Sequence, residues 1–119
     1  MDDPDDDWYD FQTLKGHEST VWSLAFSPCG ELLASASDDR TLRIWKRADK
    51  WRWEQAAVLT GHERSVYSVS WSKGLDPEKG EDGNKGWLAS TGQDGKINVW
   101  CILVRVFRLE SIHISLRLI

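Results

Sequence analysis

Cysteine is scarce in this chain: there are two, Cys29 and Cys101, far apart and without C-x-x-C spacing, so no disulfide framework is available to hold a fold together. The N-terminus has neither the basic start nor the apolar run of a signal peptide, and a reduced, intracellular protein is the expectation. Long uncharged apolar runs are missing too. The apolar segment 101–119 carries Arg105, Arg108, Glu110 and Arg117, which would place charge throughout a bilayer span, so it is not read as a membrane helix. No run of Lys and Arg occurs; phosphate binding needs clustered bases to displace counterions, which argues against nucleic acid as the main partner. Nothing shows the 3.6-residue period of an amphipathic helix.

What is present in excess is tryptophan, eight residues in 119, within an otherwise ordinary 40% hydrophobic composition that suits one small globular core. A bulky ring with one polar N–H is being spent at regular positions. Acids number 19 against 15 bases, for a net charge of −4, but six of the acids are Asp2, Asp3, Asp5, Asp6, Asp7 and Asp10. The remainder of the chain is near neutral. Residues 1–7 therefore read as an acidic, solvated leader.

The chain matches itself. GHESTVWSLAFS at 16–27 lies over GHERSVYSVSWS at 61–72 with six identities in twelve and a period of 45. LLASASDDRTLRIW at 32–45 lies over WLASTGQDGKINVW at 87–100, now with a period of 55. The difference is an insertion, KGLDPEKGEDGNKG at 73–86, with seven charged residues and four glycines, which reads as an exposed hairpin loop. VWSLAF, VYSVSW, TLRIW and KINVW are short, β-branched and aromatic, with Asp39-Arg40 and Asp94-Gly95 as turn residues between neighbouring runs. WYDFQTL at 8–14 and WEQAAVL at 53–59 add one strand before each GH dipeptide. Each unit is thus four strands long. The organisation expected is a leader at 1–7, a repeat at 8–52, a second repeat at 53–100 with the insertion 73–86, and an atypical tail at 101–119.

Four polar or aromatic positions recur at matching offsets: His17, Ser35, Asp39 and Trp45, then His62, Ser90, Asp94 and Trp100, with Ser preceding Asp by four and Trp by ten in each set. Ser, His and Asp together suggest a hydrolase. The duplication at identical spacing, the accompanying Trp and the lack of a G-x-S-x-G elbow favour a structural role instead. Metal binding by His17, His62, His113, Cys29 and Cys101 is not expected, because no two of them have ligand-pair spacing. The glycines at 74, 80, 83 and 86 match neither G-x-G-x-x-G nor a P-loop.

A GH dipeptide, some two dozen residues, Ser-x-x-x-Asp and a closing Ile/Val-Trp resemble the WD-repeat (WD40) pattern, one blade of a β-propeller. The usual closing Asp is absent: Lys46 follows Trp45 and Cys101 follows Trp100. The resemblance implies an all-β fold, a WD40 β-propeller fragment of about two four-stranded antiparallel blades with the ring not closed. It also implies that the two sets of four residues form relays from indole to hydroxyl to imidazole to carboxylate. By the same pattern Trp8–Leu14 is the outer strand of a preceding blade. The tail CILVRVFRLESIHISLRLI offers neither an outer strand nor a new GH, and is expected to be an alternative terminus or translated intron or frame-shifted sequence.

Residues 5–45 more closely resemble a blade of the WD-repeat scaffolds of cytosolic iron–sulfur protein assembly; the second repeat matches more loosely and the tail does not match. That resemblance implies a non-catalytic scaffold without a cofactor, holding adaptor and cluster-carrier proteins so that clusters reach apoproteins in the cytosol and nucleus. Two distant cysteines agree with this, since a cluster ordinarily takes four thiolates. Other WD-repeat adaptors, in ubiquitin ligases or chromatin complexes, share every structural signal, and a truncated product without function is a further alternative. Family positions that feed the narrow face of a propeller fall on Thr20, Trp22 and Asp38, then Ser65, Tyr67 and Gln93. Trp22 and Tyr67 suit a contact site, or else simply pack along the inner strands.

Overall fold

Runs of β-branched and aromatic residues punctuated by turn residues leave the backbone one economical way to satisfy its polar groups, which is cross-strand pairing. The computed structural model describes residues 12–50, 52–72, 84–105 and 108–117. The leader 1–7, positions 8–11 and most of the insertion 73–86 lie outside the described residues. Eight strands are formed: β1 (Val21–Phe26), β2 (Leu32–Ser37), β3 (Thr41–Arg47), β4 (Trp53–Thr60), β5 (Val66–Ser72), β6 (Asn84–Gly92), β7 (Lys96–Arg105) and β8 (Arg108–Arg117). They make two four-stranded antiparallel sheets, in the orders β1-β2-β3-β4 and β5-β6-β7-β8. Among the described residues there is no helix, hence none long and apolar enough to cross a membrane.

Trp53–Thr60, which opens the second sequence repeat, pairs with β3 from Thr41↔Thr60 to Arg47↔Trp53 and is the outer strand of the first sheet, as the reading of Trp8–Leu14 as the outer strand of a preceding blade implies. Sequence repeat and sheet are therefore out of step by one strand. The tail, from which no outer strand was expected, extends β7 to Arg105 and supplies β8, paired with β7 from Lys96↔Arg117 to Arg105↔Arg108. The reason is physical: the unpaired edge of β7 presents a row of N–H and C=O groups that any extended segment can satisfy, whatever its side chains. The described part of 8–14 also differs from expectation. Residues 12–14 are not a strand, and Gln12 instead uses its carboxamide on the β4 backbone, donating to the Trp53 carbonyl at 2.7 Å and accepting from its N–H at 2.8 Å.

The core lies between the sheets. Leu32, Ala34, Ala36, Leu42 and Ile44 of the first sheet are buried against Val69, Leu88, Trp100 and Ile102 of the second. Alanine at 34 and 36 lets the sheets approach closely, and the Val69 N–H donates to Ser23 Oγ across the gap at 3.2 Å.

The β2–β3 and β6–β7 turns show the cost of one side chain. Gly95 sits at φ 74°, and the equivalent residue of the first turn, Arg40, is held at the same φ of 74°. The left-handed conformation costs an L-residue about 1–2 kcal/mol, partly offset in glycine by its greater unfolded-state entropy. Arg40→Gly is expected to stabilise the protein by about 0.5–1 kcal/mol, read as a rise of a few degrees in Tm; a fall would show that Arg40 makes contacts worth more than the strain.

Candidate functional site

Each sheet carries one relay, built by a hairpin and the loop before it. In the first, Ser35 on β2 and Trp45 on β3 lie on the same face, two residues apart along the ladder, because Leu33 is paired with Trp45 and Ser35 with Arg43. The Trp45 indole N–H donates to Ser35 Oγ at 2.9 Å, Ser35 Oγ lies 2.6 Å from His17 Nε2, and His17 Nδ1 lies 2.8 Å from Asp39 Oδ2. In the Nδ1–H tautomer the imidazole donates to the carboxylate and accepts the serine proton. The second relay repeats this with slightly longer bonds: Trp100 to Ser90 at 3.1 Å, Ser90 to His62 at 2.8 Å and His62 to Asp94 at 3.0 Å. All eight residues singled out in the sequence are brought together, four and four. Gly16 precedes His17 for a steric reason, since a Cβ there would lie 2.7 Å from Gln55 Oε1 and 3.2 Å from the Trp45 ring.

The connectivity of serine to Nε2 and carboxylate to Nδ1 is that of a hydrolytic triad. Its surroundings are not. Ser35 and Ser90 are 3% and 0% exposed, and each Oγ already accepts an indole N–H, so one of its two lone pairs is engaged and the ring sits on the approach a substrate would need. What the arrangement does is satisfy buried polar groups while tying a loop, a hairpin turn and two strands to one another.

Both carboxylates are held below the usual range, Asp39 well below it. Burial alone would raise Asp39, but hydrogen bonds from the Thr41 hydroxyl, from His17 and from the Glu18 and Thr41 backbone N–H groups outweigh it. Asp94 is likewise lowered, with burial opposed by the Glu63 and Lys96 N–H groups and by His62. Because both pKa values are lower folded than unfolded, the unfolded chain takes up more protons in acid. The stabilisation is complete above the unfolded value of about 3.9 and is lost as pH falls below it. Denaturant midpoints are therefore expected to hold between neutral pH and about 4.5 and to drop steeply below about 4, and Asp39→Asn with Asp94→Asn should flatten that drop. An unchanged acid limb in the double variant would show that other groups set it.

The six candidate contact residues form two equivalent groups. The Asp38 N–H donates to the Thr20 carbonyl and the Gln93 N–H to the Ser65 carbonyl, each at 2.9 Å. Trp22 and Tyr67 each fall at a register shift, between Val21 and Ser23 and between Val66 and Ser68. A bulge of this kind turns a side chain off the regular pleat. Trp22 is 54% and Tyr67 47% exposed, yet the rings meet edge to face with centroids 6.1 Å apart, and Asp38 Oδ1 accepts the Trp22 indole N–H at 2.5 Å. The structure thus joins Trp22, Asp38 and Tyr67 into one exposed, oriented aromatic pair. The resemblance to the WD-repeat pattern pointed to these positions; the bulges that aim them could not be read from the sequence.

The thiols are separate in kind. Cys29, in the turn between β1 and β2, is exposed, and Cys101, on β7, is buried, with its thiol pKa raised by that burial, which disfavours the thiolate that metal ligation requires. Among the described residues, no group of three or more His, Cys, Asp or Glu is arranged to hold a metal ion.

Two successive four-stranded antiparallel blades, packed face to face and each closed by a Trp–Ser–His–Asp relay, define the class of β-propeller repeat proteins with the ring left open. The family model for the WD domain, G-beta repeat (WD40), matches residues 8–46 and 53–76. The chain belongs to the WD40 family. It is 42% identical over 83 residues to the "Probable cytosolic iron-sulfur protein assembly protein Ciao1" of Culex quinquefasciatus, covering 58% of this chain and 25% of that protein. With the "Probable cytosolic iron-sulfur protein assembly protein 1" of Aspergillus niger the identity is 34% over 131 aligned positions, covering 92% of this chain and 28% of the relative. The protein of the same name from Yarrowia lipolytica is 38% identical over 121 positions, covering 81% and 33%. The chain spans a quarter to a third of the length of these relatives.

Proposed function

We propose that this chain supplies two blades of a non-catalytic, protein-holding scaffold of cytosolic iron–sulfur protein assembly, and that Trp22, Tyr67 and Asp38, flanked by Thr20, Ser65 and Gln93, form part of the surface that holds a partner. The observation that carries the reading is the exposed Trp22–Tyr67 pair, oriented by Asp38. A half-exposed aromatic pair with a polar handle offers large contact area at little ordering cost, which is what interface hot spots use. The partners are an adaptor and a cluster-carrier protein of the assembly machinery, and the outcome is delivery of clusters to apoproteins in the cytosol and nucleus. The names of the relatives support the pathway; the relays, whose serines are buried and capped, support a role without chemistry of its own.

Capture of binding proteins on the tagged chain, followed by their identification, tests this directly. Recovery of iron–sulfur assembly proteins in stoichiometric amounts supports the reading. Recovery of ubiquitin-ligase or chromatin subunits in their place would assign the blades to a different WD40 adaptor.

A further inference from the structure

Positive charge is not spread evenly over the chain. Residues 46–54, KRADKWRWE, form the tip of the β3–β4 hairpin and carry Lys46, Arg47, Lys50 and Arg52 against Asp49 and Glu54. Their net charge of +2 equals that of residues 11–119 taken together. All four bases are exposed. The tip holds them in place: the Ala48 N–H donates to the Arg52 carbonyl at 2.7 Å, and the Arg47 guanidinium lies over the half-buried Trp53 ring, 5.0 Å from its centroid. Arg52 Nε is 3.9 Å from Asp49 Oδ2. Bases fixed on one short hairpin make a local positive surface rather than a diffuse one.

The opposite charge lies in the same chain and is tied to the same place. Gln12 is clamped by hydrogen bonds in both directions to the Trp53 backbone, and Trp53 is the register partner of Arg47. Asp10 is two residues from this clamp, and Asp7, Asp6 and Asp5 are five to seven residues from it. At about 3.3–3.6 Å per residue, even a fully extended chain keeps Asp10 within about 7 Å of Gln12 and Asp5 within about 25 Å. The clamp is not a product of the repeat. Through the 45-residue period Gln12 corresponds to Ala57, which lies inside β4 and pairs with Ile44.

We propose that the tip of the β3–β4 hairpin is a docking surface for an acidic peptide segment, and that the stretch Asp2–Asp10 of the same chain is its occupant, led onto Arg47, Lys50 and Arg52 by the Gln12 clamp. A single exposed ion pair contributes little. Six carboxylates offered to four bases from an anchored segment act together, and the short tether gives them a high effective concentration at the hairpin. The contact is electrostatic and therefore salt-dependent, because the Debye length falls from about 30 Å at 0.01 M to about 3 Å at 1 M. An acidic segment of any other protein reaches this hairpin only by displacing the leader.

Carbodiimide coupling of the full chain tests this, because a zero-length reagent joins a carboxylate to an amine only where the two meet. At about 0.02 M salt, amide links from the Asp2–Asp10 stretch to Lys46 or Lys50 are expected by mass spectrometry, and at about 1 M salt they should be lost. Mixing with an isotope-labelled copy shows whether a link joins one chain or two. Arg52→Glu changes an exposed side chain, keeps both lysines, and should lower the yield of these links severalfold with an unchanged strand signal in circular dichroism. With Asp2→Asn, Asp3→Asn, Asp5→Asn, Asp6→Asn, Asp7→Asn and Asp10→Asn made together, trypsin should cut after Lys50 severalfold faster, while cutting after Lys96 is unchanged. The proposal is overturned by an absence of links to Lys46 and Lys50, by links that persist in urea or in high salt, or by links that join two copies. Equal cleavage of the hairpin with and without the six aspartates would overturn it as well.

Discussion

Asp94→Ala is expected to lower the stability of the protein by about 2–4 kcal/mol, because it leaves buried donors of the relay without their acceptor. The carboxylate is the terminus of its relay and accepts from three donors: His62 Nδ1 at 3.0 Å, and the backbone N–H groups of Glu63 at 3.0 Å and Lys96 at 3.1 Å. The His62 and Asp94 side chains are 0% and 4% exposed, so the imidazole N–H is left with little access to water. Each orphaned buried donor costs about 1–3 kcal/mol. With total stabilities of about 5–15 kcal/mol for such domains, much of the native margin disappears. The measurement is a denaturant titration at fixed protein concentration. Asp94→Asn, which restores an acceptor oxygen but not the charge, should fall between the wild type and the alanine variant. A loss under about 1 kcal/mol in Asp94→Ala would show that the relay is ornamental and that strand pairing alone holds the second sheet.

Trp22→Ala should have the converse signature, with binding lost and folding kept. More than half of the ring is in solvent, and it lies at a bulge rather than in the core, so Tm is expected to stay within a few degrees. Truncating a central aromatic of an interface costs about 2 kcal/mol or more, or roughly a thirtyfold loss of affinity for the captured adaptor. Asp38→Asn keeps an acceptor for the indole and should weaken capture less, while Asp38→Ala frees the ring and should weaken it more. Tyr67→Phe retains the edge-to-face contact and is expected to be near neutral. A fall in Tm of ten degrees or more with unchanged affinity per folded molecule would make Trp22 a packing residue and remove the contact surface from this part of the blade.

The two experiments separate two kinds of residue that the sequence presents alike, as polar or aromatic positions at fixed offsets from a GH dipeptide. Ser90 and Asp94 occur at the same spacing as Ser35 and Asp39 because a hairpin of fixed register carries Ser and Trp to the same face and leaves Asp in the turn. Spacing along a chain survives folding in that situation, which is why the recurring Ser, Asp and Trp positions are legible in the sequence. The geometry also weighs against the hydrolase alternative. A serine bonded to imidazole is common to both readings, and the indole that caps it is what distinguishes them.

Sequence alone determined the class of the fold, the repeat and the recurring positions of both relays, since these rest on periodicity and on the resemblance to the WD-repeat pattern. Tertiary structure decided three things. The tail became β8 because backbone hydrogen bonding at the edge of β7 does not depend on side-chain pattern. Trp22 and Tyr67 were turned toward each other by bulges, which arise from a mismatch of residue count between two strands and leave no mark in either one. Sheet packing left Leu24 and Phe26 exposed while covering Val69, the counterpart of Leu24. Two segments with nearly the same sequence received opposite environments, because burial is a property of what lies opposite a face and not of the residues that form it.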